Sequence, residues 1–426
     1  VIDCSASGRY VPRRGIVEAL MQPTLIVGTI VLAGFFLGEV ASRVKLPKVT
    51  GYILAGVALN PGLFHIIPMT FTQHTDLITS ISLSFITFSV GGTLCYPRLR
   101  QLGKGILYVT VCEAQFAFVI VSVGLVALSP LLIKTGFPGT LAAAIGVSLL
   151  LGSMGSPTDP SATLAVTHEY KAKGEVSSTI LGVAAFDDAL GIINYTLAVA
   201  AAGALVHAGP LRLTASLLTS LVHIFGAVAL GLVFGFVFNR ITTWVQKETE
   251  GVLIVLIIGT LSLCFGIARV LHVEELLATM TMGMIVTNYN PIGEKMFRVL
   301  ERYTEQLIFV LFFTISGMQL DFSVLAGSYA LVFIFVGLRA AGKYSGTRLG
   351  AHLAGSPAVV KRYAAGGLIP QGGIVIGLAL MIKQNPAFAP FSDLVISTII
   401  GATIVHEIVG PILAEESLKR AGEITC

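Results

Sequence analysis

Apolar runs of about twenty residues recur from one end of the chain to the other, with only short polar stretches between them. A helix of that length reaches across a hydrocarbon core ~30 Å thick. The pattern predicts thirteen spans, at 16–42, 47–64, 75–94, 104–129, 138–168, 175–206, 214–240, 250–269, 273–289, 303–319, 327–354, 361–382 and 391–417. The fold class expected is an all-α polytopic membrane protein with a single membrane domain and no soluble one.

Charge sharpens this picture. Charged residues make up 12% of the 426 and hydrophobic residues 54%, whereas a soluble domain carries about 25% charged residues. The basic residues are unevenly placed. Sixteen Lys and Arg follow odd-numbered spans, among them Arg98, Arg100, Lys295, Arg298 and Arg302. Four follow even-numbered spans: Lys134, Arg212, Arg269 and Lys383. Short loops rich in Lys and Arg stay in the cytoplasm. The C-terminus is therefore expected inside, and the N-terminus outside, a plasma or bacterial inner membrane. Arg9, Arg13 and Arg14 run against that rule. The net charge of +4 is no nucleic-acid footprint, and the lipid bilayer is the partner such a surface requires. Cys4, Cys95, Cys112, Cys264 and Cys426 have no metal-ligand spacing, and no GxxxxGK[ST] segment is present to hold ATP. No nucleophile–base pair stands out either, so neither an enzyme nor a cofactor is expected.

Two spans are interrupted. Gly152-Ser153-Met154-Gly155-Ser156-Pro157-Thr158-Asp159-Pro160 cuts the fifth, and Gly366-Gly367-Leu368-Ile369-Pro370-Gln371-Gly372-Gly373 cuts the twelfth. Such runs stop an intact helix and free backbone groups at membrane depth, where only protein or water can satisfy them. The breaks lie seven spans apart, and an odd offset inverts a segment in the membrane. The expected organisation is an N-terminal tail (1–15), a first inverted repeat (16–206, broken near 152–160) and a connecting helix (214–240). A second repeat (250–417, broken near 366–373) and a cytoplasmic tail (418–426) follow, with the two broken helices crossed.

Buried charge points to the chemistry. Asp187 and Asp188 are adjacent within the apolar sixth span. A charge at the bilayer centre costs ~2.5–3.5 kcal/mol on insertion scales, so such residues mark function. Neighbours on a helix point about 100° apart, so one carboxylate can face a cavity while the other faces a fixed positive charge. The eleventh span offers that charge as Arg339 and Lys343, four residues apart on one face. Pairing of Arg339 with Asp187 is the first expectation, with Lys343 snorkelling toward an interface. In the fifth-span break, Thr158 can lend an oxygen to a passing ion. Asp159 can cap the next half-helix or balance a buried base. Glu407, beside His406 in the last span, is a modulatory candidate that can pair with Lys343. Glu113 and Asn194 are weaker signals, and His65 and His74 read as loop residues.

A carboxylate in a narrow polar cavity can be neutralised by a proton or by a desolvated cation, but not comfortably by both. Competition at one site exposed alternately to each side yields antiport without ATP. Oxygen-only ligands favour hard ions such as sodium or lithium. Near the breaks, three acids against two bases favour a cation over an organic anion.

The Thr158-Asp159-Pro160 break, the Phe186-Asp187-Asp188 helix and the Arg339-Ala340-Ala341-Gly342 helix resemble, in order and spacing, the monovalent cation:proton antiporter superfamily. The resemblance runs over about residues 20–415 and is strongest to the two-aspartate sodium/proton exchanger branch. It implies a homodimer whose core domain moves against a dimerisation domain. It implies that Asp188 is the carrier of sodium and proton, and that Asp187 is bridged to the basic residue at Arg339. Branch members often have lysine there; arginine does not readily release a proton, so Lys343 or Asp187 alone remains open for that role. Stoichiometry stays open, leaning to electrogenic exchange. A potassium/proton antiporter or potassium efflux system of the same fold, and an organic-anion symporter of related architecture, remain as alternatives.

Overall fold

The computed structural model describes residues 22–424 apart from 45, 47, 64–66, 69–70, 72–74, 160–166, 168–171, 185, 208–212, 246–248 and 321. Among the described residues the chain is helical throughout. In order, α1 is Pro23–Arg43, α2 Lys48–Ala58, α3 Asp76–Thr93, α4 Tyr96–Leu132, α5 Leu141–Ser153, α6 Glu175–Ala184, α7 Asp187–His207 and α8 Leu213–Val245. Then come α9 Glu250–Val270, α10 Glu275–Tyr289, α11 Gly293–Tyr303, α12 Glu305–Met318, α13 Phe322–Leu353, α14 Ala358–Tyr363, α15 Gly373–Gln384 and α16 Ser392–Arg420.

Among the described residues seven stretches are long and apolar enough to cross a membrane, and α2, α5, α12 and most of α15 are shorter apolar helices. The long helices keep Leu32, Phe36, Val123, Val233 and Leu263 exposed, the surface a helix shows to lipid rather than to water. The protein is a multi-pass integral membrane protein.

Three features differ from the sequence expectation or lie beyond it. The sixth span is two helices, α6 and α7, and the helix restarts at Asp187 itself. α11, which read as a charged loop, is an amphipathic helix. It buries Gly293, Met296, Val299 and Leu300 and exposes Glu294, Arg298, Glu301 and Arg302. The N-terminal tail, with its three arginines, and most of the far half of the fifth span, 160–168, lie outside the described residues, as do His65, His74, Cys4 and Cys426.

Close helix contacts rest on glycine. Gly342, Gly346 and Gly350 form one stripe of α13 pressed onto α4, where a Cβ would meet the backbone of Ala117, Cys112 or Tyr108 at 2.5–2.7 Å. Without a side chain the two backbones can touch, the way helices associate when lipid offers no hydrophobic drive. Gly346→Val is expected to force α13 off α4 at a cost of about 3 kcal/mol or more. Loss of a single symmetric peak in detergent gel filtration would show it, whereas an unaltered melting temperature would mean the contact is looser than described.

The helices pack in two groups. One holds α1, α2, α3, α8, α9, α10, α11 and α12; the other holds α4, α5, α6, α7, α13, α14, α15 and α16. The strongest helix pairs lie within a group: α4 with α13, α3 with α10, and α8 with α10. The seam between them is the place where the functional residues gather.

Candidate functional site

Two irregular segments meet inside the second group. The first, 154–159, follows α5; the second, 369–372, follows a short 3-10 turn at Ala364–Leu368 and precedes α15. Their backbones bond directly, since the Asp159 N–H donates to the Pro370 carbonyl at 3.1 Å. Gln371 Nε2 donates to the Met154 carbonyl at 2.6 Å. The Asp159 carboxylate lies against Gly372, where any Cβ would collide with it.

Arg339 staples the two breaks together. Its guanidinium donates to the carbonyls of Gly155 (3.0 Å), Ile369 (2.5 Å), Pro157 (2.7 Å) and Pro370 (3.4 Å). The side chain is fully buried. Arginine suits the task because its planar fork carries five donors and keeps its charge. Prolines and glycines removed these carbonyls from any helix, and Arg339 satisfies them where neither lipid nor water can.

The ion pair expected of Arg339 belongs instead to Lys343, one helical turn further on. Its Nζ contacts Glu113 Oε1 and the Ser156 carbonyl, donates to Thr158 Oγ1 at 2.8 Å and reaches Asp187 Oδ2 at 3.5 Å. Glu113, Asp187 and Lys343 are all without exposed surface. Lys343 therefore does not snorkel to an interface; it lies at the level of the breaks because the glycine stripe of α13 holds it against α4. Nor does it pair with Glu407. Glu407 is fully buried elsewhere, accepting a hydrogen bond from Thr50 Oγ1 at 3.2 Å and lying beside Asp159.

The adjacent acids diverge as helix geometry requires. Asp187 is sealed in with Lys343 and Glu113. Asp188 is partly exposed and lines a cavity of 730 Å³ together with Thr158 and Asp159. The cavity lies on the seam, between α3, α10 and α12 on one side and the breaks and α15 on the other. Its mouth is formed by Thr93 and Cys95 and by Glu294, Arg298 and Glu301 of α11. The structure thus brings together Thr158, Asp159, Asp187, Asp188, Arg339 and Lys343, and adds Glu407 at the side.

Glu113 is the residue that sequence reasoning undervalued. A lone carboxylate in an apolar helix was visible, and so was the Gly342/Gly346/Gly350 stripe that could have directed it to Lys343. Asn194 also gains a place. Its Nδ2 donates to Ser156 Oγ at 2.9 Å, and Ser156 in turn donates to the Ala114 carbonyl, fixing the first break to α4 and α7. Among the described residues no cluster of three metal-ligating side chains occurs. The oxygens of Asp188, Asp159 and Thr158 suit a hard monovalent ion held loosely in a wet cavity better than a resident transition metal.

Comparison with known proteins agrees with this architecture. Residues 27–416 match the family model described as sodium/hydrogen exchanger, transmembrane. The chain is 24% identical over 347 residues to cation/H(+) antiporter 20 of Arabidopsis thaliana, covering 76% of this chain and 40% of that one. It is 24% identical over 299 residues to the ammonium/H(+) antiporter subunit AmhT of Alkalihalophilus pseudofirmus, covering 70% of each. It is 26% identical over 180 residues to the Na(+)/H(+) antiporter NhaP of Pseudomonas aeruginosa, covering 40% of this chain and 41% of that one. The matched region thus spans less than half the length of two of these relatives. Among solved structures, the sodium proton antiporter MjNhaP1 of Methanocaldococcus jannaschii at pH 8 superposes with a TM-score of 0.72 at 16% identity. That match covers 95% of this chain and 99% of the other, which establishes a common fold.

Proposed function

This chain belongs to the sodium/hydrogen exchanger family of membrane proteins, and we propose that it exchanges a monovalent cation, sodium or lithium, for protons at Asp188. The observation that carries the reading is the divergence of the acid pair. Asp188 opens to a cavity lined with oxygen ligands, and Asp187 is held away from it by a buried base. A proton on Asp188 neutralises it, and so does a cation bridging Asp188, Asp159 and Thr158; each displaces the other. By the charge asymmetry of the loops, the mouth near Lys295 and Arg298 faces the cytoplasm. The state described is then open inward, with the C-terminus inside. Movement of the second helix group against the first would carry the site to the other side. The two groups answer to the core and dimerisation domains that the family resemblance implies, and the inverted repeats 16–206 and 250–417 to the two crossed breaks. Assembly as a homodimer belongs to the same reading.

The Glu113–Lys343 contact favours exchange of one proton per cation over the electrogenic alternative. With two carboxylates around it, Lys343 keeps its charge when a cation draws on the acids beside it. Arg339 and Lys343 are balanced by Glu113 and Asp187, and Asp188 alone changes its load. Replacement of Glu113 by Gln should leave Lys343 dependent on Asp187 and raise the charge moved per cycle.

Reconstituted protein with a trapped pH-sensitive dye tests the reading, with sodium, lithium, potassium and ammonium added in turn. Dye recovery with sodium or lithium is expected, and a response to potassium or ammonium alone would replace the cation assigned here. One-site competition further predicts that the apparent cation KM falls about tenfold for each unit rise in pH while Asp188 remains mostly protonated. A KM flat across that range would exclude a shared carboxylate.

A further inference from the structure

The seam holds a second cavity of 530 Å³ at its opposite end, which shares α3, α7, α10 and α15 with the first and adds α8 and α9. On α7 the lining moves from Asp188 to Tyr195, Thr196 and Val199; on α15 it moves from Ile374 and Val375 to Met381 and Gln384. On α3 it moves to Asp76, and before and at the start of α10 to Glu274 and Glu275. Between the two cavities the seam is shut by apolar packing: Leu83 of α3, fully buried, presses on Gly377 of α15 so closely that a Cβ there would strike it. At the far mouth a polar contact between described residues crosses the seam. Arg269, near the end of α9, donates through Nη2 to Gln384 Oε1 at 2.8 Å. The same guanidinium is anchored on its own side by Glu275 (3.2 Å) and, through Nη2, by Ser80 (3.5 Å).

We infer that the Arg269–Gln384 contact is a latch that holds the far end of the seam together, cutting the far cavity off from Asp188 while the Asp188 cavity is open. The anchor and the catch lie on different bodies: Arg269, Glu275 and Ser80 in the first helix group, Gln384 at the tip of α15 in the second. Opening the far end pulls α15 from α3 and α9, and Arg269 keeps Glu275 when it lets Gln384 go. The contact is partly exposed, so it biases the balance of two states and does not fix it. This inference rests on the exchange reading for its meaning, but its test does not need transport.

The test uses the full chain in sealed membranes of both orientations. Cys95, native to the chain, lines the near cavity, and a Thr196→Cys variant reports on the far one. Labelling by a membrane-impermeant maleimide is read on each side, with and without Gln384→Ala. The latch predicts that Gln384→Ala slows labelling of Cys95 and speeds labelling at position 196 several-fold. Gln384→Glu, which keeps an acceptor for the guanidinium and adds a charge that strengthens the bond, should label position 196 no faster than the parent. Parent rates at both positions in Gln384→Ala would overturn the latch, and so would labelling at position 196 that speeds as much in Gln384→Glu. If the rates shift as stated but the parent exchanges no cation for protons, the latch stands and the exchange reading falls. If the parent exchanges and the rates stay still, only the latch falls.

Discussion

An Asp188→Asn protein should fold and should not exchange. The loss expected is at least roughly a hundredfold, because removing one of two carboxylates that face a desolvated monovalent cation forfeits about 3 kcal/mol or more of attraction. The fold should survive, since Asp188 is partly exposed to a cavity and the ion pair of the site belongs to its neighbour. An amide fills the same volume and removes a charge whose placement at membrane depth costs ~2.5–3.5 kcal/mol. The melting temperature is therefore expected to hold or rise as activity disappears. Flux and thermal unfolding measured on one preparation separate these effects. Substantial cation-driven proton flux in this variant would remove Asp188 from the carrier role.

A large stability effect is expected from Lys343→Ala. It leaves Glu113 and Asp187 buried without a counter-charge, and breaking a buried pair from one side costs about 3–5 kcal/mol. Both acids are already incompletely satisfied. Among the described residues Glu113 Oε2 and Asp187 Oδ1 have no hydrogen-bond partner, and besides Lys343 Glu113 has only the long contact from Thr158 Oγ1 at 3.5 Å. Addition of Glu113→Gln to Lys343→Ala should recover part of the loss, because the amide carries no charge to leave stranded. Arg339→Ala should also destabilise, for a different reason. It strips donors from carbonyls of Gly155, Pro157, Ile369 and Pro370, at about 1–3 kcal/mol for each group left bare. Neutralising Glu113 or Asp187 should not repair it. A double-variant series read by thermal unfolding distinguishes the two roles. Rescue of Arg339→Ala by Asp187→Asn would restore the pairing expected from sequence and contradict the one described.

The acids were legible and their partners were not. Asp187 and Asp188 stood out because nothing but function justifies two carboxylates in an apolar span. The two breaks stood out because proline and glycine cannot continue a helix. The partner assignment failed on a single helical turn. Arg339 and Lys343 share a face about 6 Å apart along the axis, and sequence gives no depth fine enough to say which lies level with Asp187. What set the depth was the contact of Gly342, Gly346 and Gly350 with α4, a three-dimensional fact with only a one-dimensional trace. The end of α6 at Ala184 and the start of α7 at Asp187 had no trace in the sequence, since neither glycine nor proline stands between them. α11 was missed because a search for apolar runs reads an amphipathic helix as a charged loop.

The central claim is that one carboxylate, Asp188, is held in turn by a proton and by a metal ion. Proton release on cation binding, measured with a pH indicator in weakly buffered detergent solution, tests it most directly. Addition of sodium to the parent protein should release about one proton per ion bound, and Asp188→Asn should release none. Saturable sodium binding with no proton released, or release undiminished in Asp188→Asn, would contradict the account.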